Sequence, residues 1–216
     1  MPDCLTGEDV SCIRGERLVF TKLAFRLEDG GALVLRGPNG SGKSSLLRLM
    51  AGLGRPTAGT IQWNGESIRQ DRAAHRARTA YVGHADAVKS ALTVAENLEF
   101  WAGMHGVRGD LSPSLARLGL DRHARVSGRY LSSGERRRLA LAVLAAIPVK
   151  LWLLDEPTVG LDTNSVSALE ALVAEHRRNG GMVVLSTHVD LQLPGAATLD
   201  LGAYAIARDA FDEVLA

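Results

Sequence analysis

Apolar positions along this chain fall into two rhythms. Three continuous runs, Ala32-Leu33-Val34-Leu35, Leu151-Trp152-Leu153-Leu154 and Met182-Val183-Val184-Leu185-Ser186, are too short for helices and predict strands buried on both faces. Elsewhere the period lengthens to that of a helix: Ser44 to Met50, Ser132 to about Ile147 with Pro148 as the stop, and about Asn164 to Arg178. The first 35 residues read as short alternating strands, among them Leu18-Val19-Phe20 and Leu23-Ala24-Phe25. Thr60-Ile61-Gln62-Trp63 and Ala80-Tyr81-Val82 are also strand-like, and Ala197 to Arg208 reads as two more short strands. From about Leu92 to Leu120 the pattern is helical, with Leu98, Trp101 and Met104 expected on one face as lobe core; Gly119 and Asp121 punctuate a second helical stretch. Strands alternating with helices predict an α/β fold with a mainly parallel sheet. An antiparallel β region precedes it, and a helical lobe is inserted at about 85–147. Residues 1–216 read as a single domain.

Chemistry enters at the first buried strand. Gly37-Pro38-Asn39-Gly40-Ser41-Gly42-Lys43-Ser44-Ser45 matches the phosphate-binding pattern G-x-x-x-x-G-K-[ST], placed between a strand and a helix as the motif requires. Glycines allow successive backbone N–H groups to converge on the α- and β-phosphates, aided by the helix N-terminus. Lys43 is expected to reach the β- and γ-phosphates, and the Ser44 hydroxyl to bind Mg²⁺. A glycine-rich turn before a helix could arise by chance, but the strand–loop–helix context favours a P-loop nucleotide site.

Two further constellations concern the same phosphates. The run Leu151 to Leu154 delivers Asp155 and Glu156 to the end of a strand, where Asp155 is expected in the Mg²⁺ shell and Glu156 as general base toward water. An acidic pair ending a strand can also serve only as a helix cap. Leu131-Ser132-Ser133-Gly134-Glu135 opens a helix 21 residues before Glu156 (156 − 135) and offers free N–H groups at a positive dipole end, a second anion site.

Composition mainly excludes. The net charge of +1 produces no global field, so a nucleic-acid partner is not expected. Cys4 and Cys12 form no CxxC pair and read as reduced, neutral thiols. No run approaches the ~18 apolar residues of a membrane span, and Met1-Pro2-Asp3-Cys4 does not open a signal peptide. A cytoplasmic chain is expected.

Taken together, the loop at 37–45, the signature Leu131 to Glu135, the strand ending in Asp155-Glu156, Gly160-Leu161-Asp162 and His188 after Ser186-Thr187 resemble the nucleotide-binding subunits of ATP-binding cassette (ABC) transporters, in order and spacing and over nearly the whole chain. The resemblance implies an ABC-type P-loop NTPase fold that uses ATP and Mg²⁺. It implies a head-to-tail homodimer with ATP between the loop of one copy and the signature of the other, coupled to integral membrane permease subunits. His188 would contact the γ-phosphate and the attacking water.

Departures narrow the group. His84 stands where the family has a Gln near Mg²⁺, and an imidazole can accept a hydrogen bond from metal-bound water. Arg14 stands near the position of the adenine-stacking aromatic, and a guanidinium can also stack on a base. Glu135 replaces the usual signature Gln, so it is expected to point away from phosphate or to cap the helix. Arg136-Arg137-Arg138 reads as solvated first turns of that helix. Gly83-His84 with Lys89, Thr93 to Leu98 and Cys12 to Arg17 resembles the ATP-binding subunits of haem exporters in bacterial cytochrome c maturation, at the cytoplasmic face of the inner membrane. Other readings are a small ABC exporter subunit with a different cargo, a soluble ABC ATPase, for which the usual insertions are missing, and a non-hydrolysing scaffold, disfavoured by intact Lys43, Asp155, Glu156 and His188.

Overall fold

Alternate residues of the apolar strands enter two different cores. The structure, a computed structural model, describes residues 2–15 and 17–204. In chain order it contains strands β1 (Cys4–Arg14), β2 (Arg17–Glu28) and β3 (Ala32–Arg36), helix α1 (Lys43–Met50), strands β4 (Ala58–Trp63) and β5 (Glu66–Ser67), helix α2 (Arg72–Ala77) and strand β6 (Thr79–Val82). Helices α3 (Val94–Met104), α4 (Ser112–Arg117) and α5 (Ser133–Ala146) follow, then β7 (Leu151–Asp155), α6 (Thr163–Arg178), β8 (Met182–Ser186) and β9 (Ala197–Asp200). Five strands form a parallel sheet in the order β6-β7-β8-β3-β9, and four form an antiparallel sheet in the order β2-β1-β4-β5.

Leu33, Leu35, Leu151, Leu153, Met182 and Val184 pack toward α1 and the antiparallel sheet. Val34, Trp152, Leu154, Val183 and Leu185 pack toward α3, α5 and α6. A two-residue period inside an unbroken apolar run is the mark of a sheet covered on both sides. Because the five strands are parallel, their C-terminal ends open on one edge. Leu154 pairs with both Val82 and Leu185, and Leu35 and Asp155 both pair with Ser186. The segments after β3, β6, β7 and β8, which carry the candidate chemistry, therefore leave the sheet side by side.

Three expectations need correction, and a fourth lies partly outside the described residues. The two short N-terminal strands are one twelve-residue strand, β2, with Lys22 at φ 48° and several register shifts against β1. Those bulges interrupt the alternation without ending the pairing. Of the two strands expected at Ala197 to Arg208 the first is β9; the Gly202 N–H then donates to Asp200 Oδ1, the chain turns into a 3₁₀ segment at Leu201–Tyr204, and the rest of that range, 205–208, lies outside the described residues. On α3 the core face is Val94, Asn97, Leu98 and Ala102, while Met104 is 68% exposed and Trp101 half-buried. Six residues of helix rotate Met104 about 240° from Leu98, off the buried stripe. The three arginines of α5 are not uniformly solvated: Arg137 is 3% exposed. Among the described residues no helix is long and apolar enough to cross a membrane.

Candidate active site

The loop between β3 and α1 has the shape its sequence predicts. Gly42 is the N-cap of α1 at φ 98° and no side chain among the described residues caps the helix, so its first-turn N–H groups are left for another acceptor. A Cβ on Gly42 would lie 2.4 Å from Val19 Cγ1 and 2.8 Å from Phe20 Cδ1. Only glycine therefore fits this crossing of loop and β2. Lys43 Nζ donates to the carbonyls of Gly37 at 2.8 Å and Pro38 at 3.2 Å, which holds the ammonium over its own loop. Ser41 Oγ is buried without a hydrogen-bond partner among the described residues. An uncapped helix end, a buried ammonium and an unpartnered hydroxyl fit a phosphate chain.

Around this loop lies an open cavity of about 560 Å³, lined by Asn39, Gly40, Gly42, Lys43, Ser44 and Ser45. Glu156, His188, His84 and Arg14 face the same space. Glu156 sits just past β7 with φ 49°, a left-handed conformation that costs a non-glycine residue about 1–2 kcal/mol. Its N–H donates to Ser186 Oγ at 3.0 Å, which ties it to the adjacent strand. His188 Nε2 lies 3.3 Å from Glu156 Oε1. Asp155 is buried one residue earlier, and its Oδ1 accepts a hydrogen bond from Ser186 Oγ at 2.8 Å.

Not all expected residues share the cavity. Asp155, Gly37, Pro38 and Ser41 lie outside its lining, as does the whole signature Leu131 to Glu135. The signature instead packs on the loop after β7, where a Cβ on Gly134 would sit 2.5 Å from the Gly160 carbonyl oxygen. Glu135 caps its helix: Oε2 accepts from the Ser132 N–H at 2.8 Å and from Ser132 Oγ at 2.7 Å. In return Ser132 Oγ accepts from the Glu135 N–H at 3.3 Å, completing a capping box. The Ser132 hydrogen bonds hold the Glu135 carboxyl below its ordinary value.

Sequence reasoning missed Arg17, Val19 and Val159 in the cavity wall. Arg17 was discoverable as the partner of Arg14 across the β1–β2 hairpin. Arg137 was also missed, although Arg137, Leu141 and Leu144 recur at i, i+4 and i+7 on one buried face of α5.

For Mg²⁺, the Ser44 hydroxyl and Asp155 carboxylate are hard oxygen donors of the right type. No cluster of three His, Cys, Asp or Glu side chains forms a protein cage among the described residues. Such a donor set suits an ion that keeps waters and substrate phosphates in its shell.

The ABC transporter family model matches residues 20–159. Cytochrome c biogenesis ATP-binding export protein CcmA of Paramagnetospirillum magneticum is 53% identical over 209 residues, 94% of this chain and 96% of that protein. The CcmA of Rhodospirillum rubrum is 52% identical over 94% of this chain and 88% of its own length. The chain belongs to the ABC transporter family, among the cytochrome c biogenesis ATP-binding export proteins. An ABC transporter ATP-binding protein of Pyrococcus furiosus superposes with a TM-score of 0.82 at 24% identity, over 94% of this chain and 100% of that one, which bears on the ABC fold alone.

Proposed function

We propose that this chain is the ATP-hydrolysing subunit of a membrane ABC complex in cytochrome c biogenesis, driving haem export or release of a haem chaperone. The observation that carries the ATPase reading is the convergence of Lys43, Glu156, His188 and His84 on one cavity. The cytochrome c assignment is supported by the names of the relatives that match nearly end to end.

In this reading Gly37 to Ser45 hold the phosphates of ATP, and Lys43 turns from the loop carbonyls to the β- and γ-oxygens. Arg14 lies at the base end of the site and stacks its guanidinium on adenine. Ser44 and Asp155 would hold Mg²⁺, which would neutralise charge on the phosphates. Glu156 accepts a proton from water as the water oxygen bonds to the γ-phosphorus. The bond from that phosphorus to the bridging oxygen breaks, and its electron pair leaves with ADP. His188 holds the water and the γ-phosphate, and His84 accepts a hydrogen bond from water beside them. Preorganised N–H dipoles and fixed charges, rather than covalent chemistry, supply most of the rate.

The signature Leu131 to Glu135 has its place in a second copy's site. Two copies pair head to tail, each signature closing on the other's ATP, and closure and reopening move integral permease subunits at the cytoplasmic face of the bacterial inner membrane. The test is to capture tagged Glu156→Gln protein with ATP from its native membranes and identify bound integral subunits by mass spectrometry. Haem-handling subunits of cytochrome c maturation are expected. An unrelated permease would discard the haem assignment and keep the ATPase.

A further inference from the structure

One buried arginine ties the two phosphate-facing regions of the chain together. Arg137 lies in the second turn of α5, four residues after Ser133 of the signature. Its Nη1 donates to the Gly83 carbonyl at 2.9 Å and its Nη2 to the His84 carbonyl at 3.1 Å. The same Nη1 is 3.3 Å from Asp86 Oδ1. With the side chain 3% exposed, this is an interior fork across the segment that follows β6. Burial pushes the Asp86 carboxyl up despite the arginine beside it.

The fork has a particular consequence. His84 lines the cavity beside Glu156, so the guanidinium fixes the backbone from which a site residue projects. At its other end the same arginine belongs to the helix that begins with Ser132-Ser133-Gly134. A planar guanidinium with two parallel donors suits two consecutive carbonyls, whereas an ammonium offers no fixed direction. The geometry points to Arg137 as a positioning residue for hydrolysis: it sets His84 in its own copy's nucleotide site and couples that setting to the signature helix that serves the partner's. This deepens the ATPase reading proposed above and rests on it. Packed, hydrogen-bonded contacts of this kind can bias a distant site when both sites act on one element.

The test is a double-mutant cycle on the full-length chain co-purified with its membrane partner. Arg137→Gln is expected to lower kcat about tenfold while leaving KM within about twofold, because the contact orients a group without touching nucleotide. In a His84→Ala background the same substitution is expected to change kcat by less than about twofold, since the residue it positions is gone. Arg137→Lys keeps the buried charge beside Asp86 and is expected to restore part of the rate; it replaces Arg137→Gln in the cycle if that variant fails to fold. Amide exchange at residues 83–86 supplies a readout independent of turnover. It is expected to accelerate in Arg137→Gln while α6 keeps its protection. An unchanged kcat, a full repeat of the loss without His84, or unaltered exchange at 83–86 overturns the assignment. Parental turnover by Glu156→Gln defeats the ATPase reading instead, and the exchange measurement still decides whether the fork holds the segment.

Discussion

His188 Nε2 lies 3.3 Å from Glu156 Oε1, although 32 residues separate them (188 − 156). Their strands explain the meeting. β7 and β8 are parallel neighbours in which Asp155 pairs with Ser186, so the residues just beyond each strand leave at the same level. Glu156 is largely enclosed, with 17% of its side chain exposed, and His188 is 58% exposed at the rim. An enclosed carboxylate with an exposed imidazole at its edge matches the division of labour proposed above, the first taking a proton and the second meeting the phosphate from the open side.

Replacing Glu156 by Gln keeps the size and loses the base. Phosphate release is expected to fall by about 10²–10⁴-fold, the usual worth of a positioned general base. Affinity for a fluorescent ATP analogue is expected to stay within a few-fold. Because ATP is then retained, the variant is also expected to elute as a dimer when ATP is added. Parental turnover removes Glu156 from its role, and strictly monomeric elution with ATP counts against the paired arrangement.

Gly42→Ala tests whether the loop depends on its glycine for space as well as for backbone freedom. The new methyl would meet Val19 and Phe20 at 2.4 and 2.8 Å, and φ 98° is strained for alanine. A loss of about 1–3 kcal/mol is expected from strain, with ATP affinity falling alongside as the loop shifts. Gly40→Ala has open space around it and φ 82°, so it should cost only the backbone share, about 1 kcal/mol. Urea midpoints of the two variants check the difference; equal midpoints would show that the contact with β2 does not matter.

Most of this architecture was legible because its signals are local. A loop pattern with flanking strand and helix, and apolar runs of strand length, depend on neighbours in sequence. What escaped depends on distance in space. Arg137 sits between two other arginines and looks solvated, and only the position of the segment after β6 makes it buried. Met104 has apolar character but falls off the face that α3 presents to the lobe. Glu135 was readable in both senses, since Ser-x-x-Glu is itself a capping pattern, and the structure shows that cap formed. The bulged strand β2 shows the reverse case, in which the alternation breaks while the element continues.

Two histidines outside the cavity set a pH limit. His75 Nε2 donates to the Met50 carbonyl at 2.7 Å, and its Nδ1 is buried without a partner among the described residues. His176 stacks on Trp152 with ring centres 3.9 Å apart and Nε2 3.2 Å from the Lys150 carbonyl. Burial pushes both imidazoles below their ordinary value near 6.5. The unfolded chain therefore binds protons first as pH falls. The stability held by these neutral rings is present above about pH 6.5 and is lost as pH drops toward their folded values. Urea midpoints are expected to decline from about pH 7 to about pH 5, and less steeply in His176→Phe, which keeps an aromatic ring against Trp152. A slope unchanged in that variant would remove His176 from the account.

The signature helix offers a separation of cap from charge. Ser132→Ala deletes the hydroxyl that accepts from the Glu135 N–H at 3.3 Å, and N-cap losses of this kind cost about 1 kcal/mol. Glu135→Gln keeps an oxygen able to accept from the Ser132 N–H, so the box survives and the urea midpoint at neutral pH should move little. The two differ in acid. Because the Ser132 hydrogen bonds lower the Glu135 carboxyl, its contribution is present above the unfolded value near 4.5 and is lost as pH falls through the lower folded value. Glutamine has no proton to take up, so Glu135→Gln is expected to lose less stability than the parent between about pH 5 and pH 3. His123 Nε2 lies 3.1 Å from Glu135 Oε1, and His123→Ala serves as the control for that second partner. If Glu135→Gln destabilises the helix at neutral pH as much as Ser132→Ala does, the carboxylate acts through its charge at the helix N-terminus, and the reading of Glu135 as a cap that glutamine could replace is wrong.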